Sequence, residues 1–598
     1  MLEPNDREML QDLLRPPEGT QLDIAVGTTY SLDLISALSA PVAFALFDID
    51  SERLVDEEGG LEILESVRRY ASRMTVFAMA GQISVPAAYR SVLTYTEDSV
   101  IEVRRPRDDR VFHPKVWALR YRYPQGQERF HHRVIVLSRN LTYDKSWDVT
   151  AVLDEADGDG GARCASPLAD FLRGLPGLAA GTVSKKRRHQ VEDLASSLEQ
   201  VRFEVPNPFR EMRMVPMGPG SSGPDFPKSC DRALVISPFL SESPVRQWST
   251  RSSKLTLVSR AEELDALPVS AVPDQSYVLS AHVQPFEERD SDLSGLHAKV
   301  YVADQGKDST WWLGSANCTH AAFDGNSEFL LELTGPKSKV GVKKLLEPAH
   351  EDVALTALLE RYARSELAPD EGSARGTSPE DLAIIAIAEA GMGLTVGEAR
   401  EDGNRVVYPV TVSCAADLPS DLAVTVKPLA LKGDDEFRLL EDGSASWPGV
   451  SLQGLSPYVV VRIVGEHTLE RVVIAQLVGD PPHRRDAVLA SLIRSQEGFL
   501  QYLLLLLSDG ALNAAWNGGL DTDLFGESVG QQRKAYELPL LESLLRSLSR
   551  NPSELTRVGD LLNDLRRTPE GARLVPGQFV ELWEPISAVL AERSGGRP

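Results

Sequence analysis

The stretch "LHAKVYVADQGKDSTWWLGSANCTHAAFDGNSEF", residues 296–329, decides how the chain is read. His297 and Lys299 stand two apart in an apolar run that reads as a strand, so both side chains leave one face. A turn of small residues with Gly314, Ser315 and Asn317 follows, and then an acid, Glu328. Imidazole, ammonium, amide and carboxylate together carry what chemistry at phosphorus needs. An imidazole attacks, the ammonium and amide hold phosphoryl oxygens, and a carboxylate fixes the imidazole's tautomer. A second imidazole is needed to protonate the leaving oxygen.

That second half lies upstream. "FHPKVWALRYRYPQGQERFHHRVIVLSRNLTYDKSWDV" (112–149) supplies His113, Lys115, Ser138, Asn140 and Asp148 in the same order. The surrounding pattern also restarts. "QLDIAVGTTY" (21–30) reads as a strand, Ser31 as the N-cap of a helix, and "VAFALFDID" and "MTVFAMA" as further strands. After a Gly/Pro/Ser-rich linker at 215–231 come "RALVISPF", a helix start in "SESPVRQWS", and the strands "KLTLVSR", "SYVLSAHV", "TWWLGSAN" and "EFLLEL". The repetition predicts a diverged duplication of about 180 residues per unit.

His-x-Lys, then Asp304, then Gly-Ser-x-Asn (Gly314, Ser315, Asn317), then Asn-x-Glu (Asn326, Glu328) resembles the motif of the phospholipase D superfamily. "ISPF" (236–239) resembles the strands that open such repeats, and the resemblance covers roughly residues 20–365. It implies an α/β fold of two repeats, mixed sheets flanked by helices about a pseudo-twofold axis. It also implies a phosphohistidine intermediate, no metal and no cofactor. The first half departs from the motif: Leu137-Ser138 replaces Gly-Ser, Arg120 takes the place of Asp304, Asp148 replaces Glu, and a hairpin tip "PQGQ" lengthens the connection.

The whole chain of 598 residues exceeds one core. The expected domains are 1–205 and 206–368 for the repeats, 376–482 for a β-sandwich-like domain, and 483–598 for a helical one. Ser378-Pro379-Glu380-Asp381 reads as a helix start at the head of the third domain. Neither C-terminal region shows chemistry, and both are expected to dock partners or support the front end. Four cysteines without a Cys-x-x-Cys pair argue against a disulfide framework or zinc site and fit a reducing cytoplasm. The N-terminus is polar rather than a signal peptide, and "GFLQYLLLLL" (498–507) is too short to span a bilayer, so no stable membrane insertion is expected.

A net charge of -24 tells against indiscriminate coating of nucleic acid. Locally, however, residues 101–147 carry 11 Lys/Arg against 5 Asp/Glu, while 285–335 carry 3 against 9. Arg105, Arg110 and Arg120 are therefore candidate phosphate contacts, with Ser138 and Ser315 at the motif turns. His131, His132 and the start of "SKKRRHQ" (184–190) read as solvated positions, His320 as a cleft-rim residue, and Cys318 as a small buried one. Of Trp311 and Trp312, alternation sends one to the core and one outward, where it could stack on a base.

The favoured expectation is a metal-independent DNA or RNA phosphodiesterase. The appended domains point by analogy to a bacterial defence assembly with an ATPase or helicase partner. Two alternatives stay open: phospholipid hydrolysis or phosphatidyl transfer, and a non-catalytic nucleic-acid-binding scaffold.

Overall fold

The computed structural model describes residues 9–45, 60–123, 129–143, 146–158, 160–280, 295–347, 354–364, 378–403, 405–416, 421–440, 442–507, 537–550 and 552–595. The chain is mixed α/β. Its first sheet is built from β1 (Gln21–Thr29), β2 (Met74–Met79), β3 (Val100–Val103), β4 (Val116–Arg122), β5 (Phe130–Leu137) and β6 (Thr150–Asp154), in the order β3-β2-β1-β4-β5-β6. The second contains β7 (Glu211–Met217), β8 (Arg232–Ile236), β9 (Leu255–Val258), β10 (Gln275–Leu279), β11 (Val300–Gln305), β12 (Asp308–Gly314), β13 (Glu328–Pro336) and β14 (Leu359–Arg361). Its order is β14-β10-β9-β8-β11-β12-β13-β7.

The two sheets repeat one topology. β1 is parallel to β2 and antiparallel to β4, as β8 is parallel to β9 and antiparallel to β11. The hairpins that follow, β4-β5-β6 and β11-β12-β13, are antiparallel in both. Parallel strands need both faces covered, and here they are. One shared core takes Val26, Val116, Val134 and Val136 from the first sheet with Ile236, Val300, Leu313 and Phe329 from the second. The outer face of the first sheet packs under α1 (Leu34–Phe44), that of the second under α4 (Glu242–Arg251), while α2 (Ser166–Leu178) and α3 (Lys185–Leu198) join the shared core.

Double coverage corrects several expectations. Trp311 faces the shared core and Trp312 the outer core, so both are buried and neither turns outward. Their indole N–H groups donate to the Val340 carbonyl at 2.7 Å and to Glu332 at 2.8 Å. Val42–Phe44, read as the start of a strand, closes helix α1 with Ala45 as its C-cap, and residues 46–50 of "VAFALFDID" lie outside the described residues. The cap of α1 is Asp33, whose carboxylate accepts from the Ser36 N–H at 2.7 Å, rather than Ser31. His132 is buried between Glu155 (2.7 Å) and Ser197 (3.0 Å), and His131 bonds Asp154 at 2.9 Å, so neither is simply solvated. In the basic run, Arg187 is buried and donates to the carbonyls of Ala71 and Met74. The "PQGQ" hairpin tip and most of the 368–381 linker lie outside the described residues.

Residues 392–478 form a mainly antiparallel sheet preceded by α5 (Pro379–Ala390), which starts with a capping box between Ser378 and Asp381. This is not a free-standing antiparallel sandwich. Met392–Val396 runs parallel to Thr468–Val478, and Val472 of that last strand pairs with Ile83 of the first half. Buried contacts reinforce the junction. Arg484 meets Glu97 at 2.7 Å, and the Glu102 carboxylate accepts from the N–H groups of Gly81 (3.0 Å) and Ile474 (2.8 Å). The C-terminal helices dock on the same half, with Arg68 to Asp564 at 2.6 Å and Tyr502 to Glu65 at 2.7 Å. Among the described residues no helix is long and apolar enough to cross a membrane.

Candidate active site

His113 and Lys115 sit in the segment that leads into β4, and His297 and Lys299 in the one that leads into β11, rather than inside the strands. Each segment is anchored to the opposite half. The His113 N–H donates to the Ser327 carbonyl at 2.8 Å, and the His297 N–H to the Trp147 carbonyl at 2.9 Å. Short parallel bridges, Phe112 with Ser327 and Trp147 with Leu296, complete the exchange. Because Ser327 precedes Glu328 and Trp147 precedes Asp148, each bridge brings an acid to the other half's histidine. Glu328 Oε2 lies 2.9 Å from His113 Nδ1, and Asp148 Oδ1 lies 3.2 Å from His297 Nδ1.

The motif serines hold these acids. Ser138 Oγ donates to Asp148 at 3.1 Å and accepts from the Val149 N–H at 2.9 Å. Ser315 Oγ donates to Glu328 at 2.5 Å and accepts from the Phe329 N–H at 2.9 Å. Gly314 opens the second turn at φ +147, where a Cβ would stand 2.2 Å from the Phe329 carbonyl oxygen. Each lysine folds back on its own motif, Lys115 Nζ to the His113 carbonyl (3.0 Å) and Lys299 Nζ to the His297 carbonyl (2.7 Å). Lys299 also donates to the Ser138 carbonyl at 3.1 Å, and its ammonium lies within 3.3 Å of both ring nitrogens of His297.

Two positioning hydroxyls escaped the sequence reading. Thr29 Oγ1 accepts from the N–H of Leu141, which follows Asn140, at 3.0 Å. Ser237 Oγ accepts from the N–H of Cys318, which follows Asn317, at 2.8 Å. The hydroxyls at the ends of β1 and β8 therefore pin the two asparagine turns. The signal was present as "VGTTY" and "VISPF". Tyr30, also missed, places its ring 5.2 Å from that of His113. Oδ1 of Asn140 and of Asn317 are buried without a hydrogen-bond partner. A side-chain amide can turn end over end, so both positions can present N–H to an anionic oxygen.

Electrostatics follow from burial. His113 and His297 keep 12% and 16% of their side-chain surface, while Glu328 keeps none. Burial, then the ammonium charges of Lys115 and Lys299, hold the His113 pKa well below that of a free imidazole. For His297, burial and Lys299 lower it to about 4 against the opposing pull of Asp148. Burial pushes the Glu328 carboxyl up to about 8, opposed chiefly by Lys115. Burial, then Lys299, lowers the Lys115 ammonium. Both imidazoles are thus neutral at pH 7, and an anion bound between them favours their protonated forms.

His113, Lys115, Ser138, Asp148, His297, Lys299, Ser315 and Glu328 form one cluster, but the arginines do not all join it. Arg105 is held by Glu389 of α5 through contacts of 2.6 to 3.1 Å, and so clamps the third domain to the first. Arg120 is buried between Asp23 (2.6 Å) and Asp193 (2.6 Å), roughly 20 Å along β4 from the histidine at a strand's rise per residue. Arg110 stays near the motif, where it and Arg107 donate to the Asp324 carbonyl oxygen at 3.1 and 2.8 Å. Asp304, at the position matching Arg120, accepts from the Val342 N–H at 3.1 Å. His320 is exposed and Cys318 fully buried. Among the described residues no group of three or more His, Cys, Asp or Glu could hold a metal ion.

No protein family matches the chain, and no curated protein is similar to it. Among solved structures, the crystal structure of a polyphosphate kinase from Porphyromonas gingivalis is similar at 11% sequence identity and a TM-score of 0.27. The likeness covers 54% of this chain and 42% of that one, so the chain spans less than half the length of the kinase.

Proposed function

We propose that the protein cleaves phosphodiesters through a covalent phosphohistidine, without a metal. The observation that carries this reading is the reciprocal pairing of His113 with Glu328 and of His297 with Asp148, around two lysines. When Nδ1–H of His113 is donated to the Glu328 carboxylate, the Nε2 lone pair is free to attack phosphorus. The P–N bond forms as the bond to the leaving oxygen breaks, and that oxygen takes a proton from imidazolium His297. Neutral His297 then removes a proton from water, the hydroxide attacks phosphorus, and the P–N bond breaks to restore His113. Lys115, Lys299 and the two asparagines carry the charge on the phosphoryl oxygens. Both ammonium groups disfavour protonation of either histidine, and His113 is assigned as the nucleophile because only His297 has a carboxylate, Asp148, that pulls towards its protonated form.

A nucleic-acid strand is the favoured substrate class. Arg107 and Tyr30 make the surroundings of His113 polar, while Arg110 is paired with Asp109 (2.6 Å) and Asp324 (3.1 Å). Most exposed large apolar side chains among the described residues, including Val406, Leu439, Val464, Leu541 and Leu545, belong to the C-terminal domains rather than to the segments that carry the histidines. The test is purified protein on single- and double-stranded DNA and RNA and on phospholipid vesicles, each in excess chelator. Cleavage of a nucleic acid that His113→Ala abolishes, with a phosphohistidine mapped to residue 113, is the expected result. Headgroup release would move the substrate to lipid, and binding without turnover would leave a scaffold.

A further inference from the structure

On the second half, a half-open cavity of about 260 Å³ lies beside the site. One wall is the Gly/Ser-rich segment that holds Ser221 and Ser222, and the other is the face of α4 with Gln247, Trp248 and Arg251. Its inner end is Asn326, whose side-chain N–H lies 3.3 Å from Glu328 Oε1, so one residue belongs both to the cavity and to the histidine–acid cluster. In a chain with net charge -24, no carboxylate lines this cavity. Its one charged lining residue is Arg251, whose guanidinium lies 5.8 Å from the ring centroids of both Phe226 and Trp248. The rings fix the guanidinium without neutralising it, and no carboxylate pairs with it among the described residues. The remaining polar lining is hydroxyl, amide and glycine backbone, the group types that hold phosphate oxygens.

We propose that this cavity binds a phosphate group, with Arg251 as the cationic ligand and Ser221, Ser222 and Gln247 as supporting polar groups. The phosphate is either the one flanking the scissile phosphodiester of a strand or free inorganic phosphate. The first source rests on the proposed function, and the second does not.

Two measurements test it. The first is calorimetric titration of inorganic phosphate into His113→Ala/His297→Ala protein, with and without Arg251→Gln, because this arm needs no turnover. At least a tenfold loss of affinity, or loss of one bound equivalent, is expected on Arg251→Gln. Ser222→Asp, at an exposed loop position, should give the same loss and covers the case in which Arg251→Gln fails to fold. Unchanged phosphate binding in folded Arg251→Gln protein, or in Ser222→Asp, overturns the proposal. The second compares turnover of bis(p-nitrophenyl) phosphate with that of an oligonucleotide in Arg251→Gln protein carrying both histidines. A KM raised about tenfold for the oligonucleotide alone identifies the flanking phosphate as the ligand. Equal KM values, with the phosphate affinity still lost, identify free phosphate.

Discussion

Glu328 and His113 are 215 residues apart in sequence and 2.9 Å apart in space, and they belong to opposite halves of the duplication. Asp148 and His297 make the return exchange. Each histidine therefore draws its tautomer from the other repeat, and neither repeat holds a complete histidine–acid pair of its own.

On the proposed mechanism, the Glu328 proton sets the pH dependence of cleavage. While Glu328 is protonated it can donate to Nδ1 of neutral His113, which puts the ring proton on Nε2 and blocks attack. Loss of that proton frees the nucleophile, so kcat/KM should rise with pH through about 8. In Glu328→Gln, whose amide oxygen accepts Nδ1–H at every pH, this limb should vanish, with a maximum lowered by roughly 10- to 100-fold. A pH–rate profile of both proteins decides it, and a limb that persists in Glu328→Gln would remove Glu328 from this role.

The asparagine turns should depend on hydroxyls far away in sequence. Thr29→Val leaves the Leu141 N–H without its acceptor, at a cost of about 1–3 kcal/mol. It should lower kcat through displaced Asn140, while Thr29→Ser restores both stability and rate. Melting curves and steady-state kinetics on the two variants separate this from a loss of packing alone.

Gly314 should tolerate no side chain. The Cβ of Gly314→Ala meets the Phe329 carbonyl oxygen at a left-handed φ, in the turn that carries Ser315. Destabilisation of about 2–4 kcal/mol is expected, read from denaturant unfolding.

The docking of the C-terminal region hinges on Arg484. Burial pushes the Glu97 carboxyl up to about 7 even with Arg484 beside it. Arg484→Ala should weaken the interface by about 3–5 kcal/mol, because it leaves a buried acid uncompensated. Arg484→Met/Glu97→Gln should recover most of that loss. Limited proteolysis between the domains measures both, and equal protection of Arg484→Ala and the parent would refute it.

That the two His-x-Lys segments meet was legible because both kept their residue types and spacing, with Lys299, Ser315 and Glu328 in order. Which acid serves which histidine was not, because that pairing is made by bridges between the halves. Local patterns failed where burial was two-sided. α1 is buried along its full length, so its apolar run reads as strand or helix alike. Trp311 and Trp312 obeyed alternation, yet both faces of their sheet were covered. The arginines around His113 misled for a related reason. Charge counted along a sequence takes no account of partners such as Glu389, Asp23 and Asp193, which arrive from elsewhere in the chain.

Among the described residues, the hydrogen bonds and ion pairs that tie the C-terminal domains to the rest of the chain run to the first repeat, through Ile83, Glu97, Glu102, Arg105 and Arg68. The twofold likeness of the sheets is thus mounted unevenly, with one partner braced from outside. A chain shortened before residue 378 would strip the scaffolding from the side that carries His113 and leave the Lys299 side as it was. The loss would be lopsided: an intact acid donor, Glu328, facing a histidine that no longer holds still.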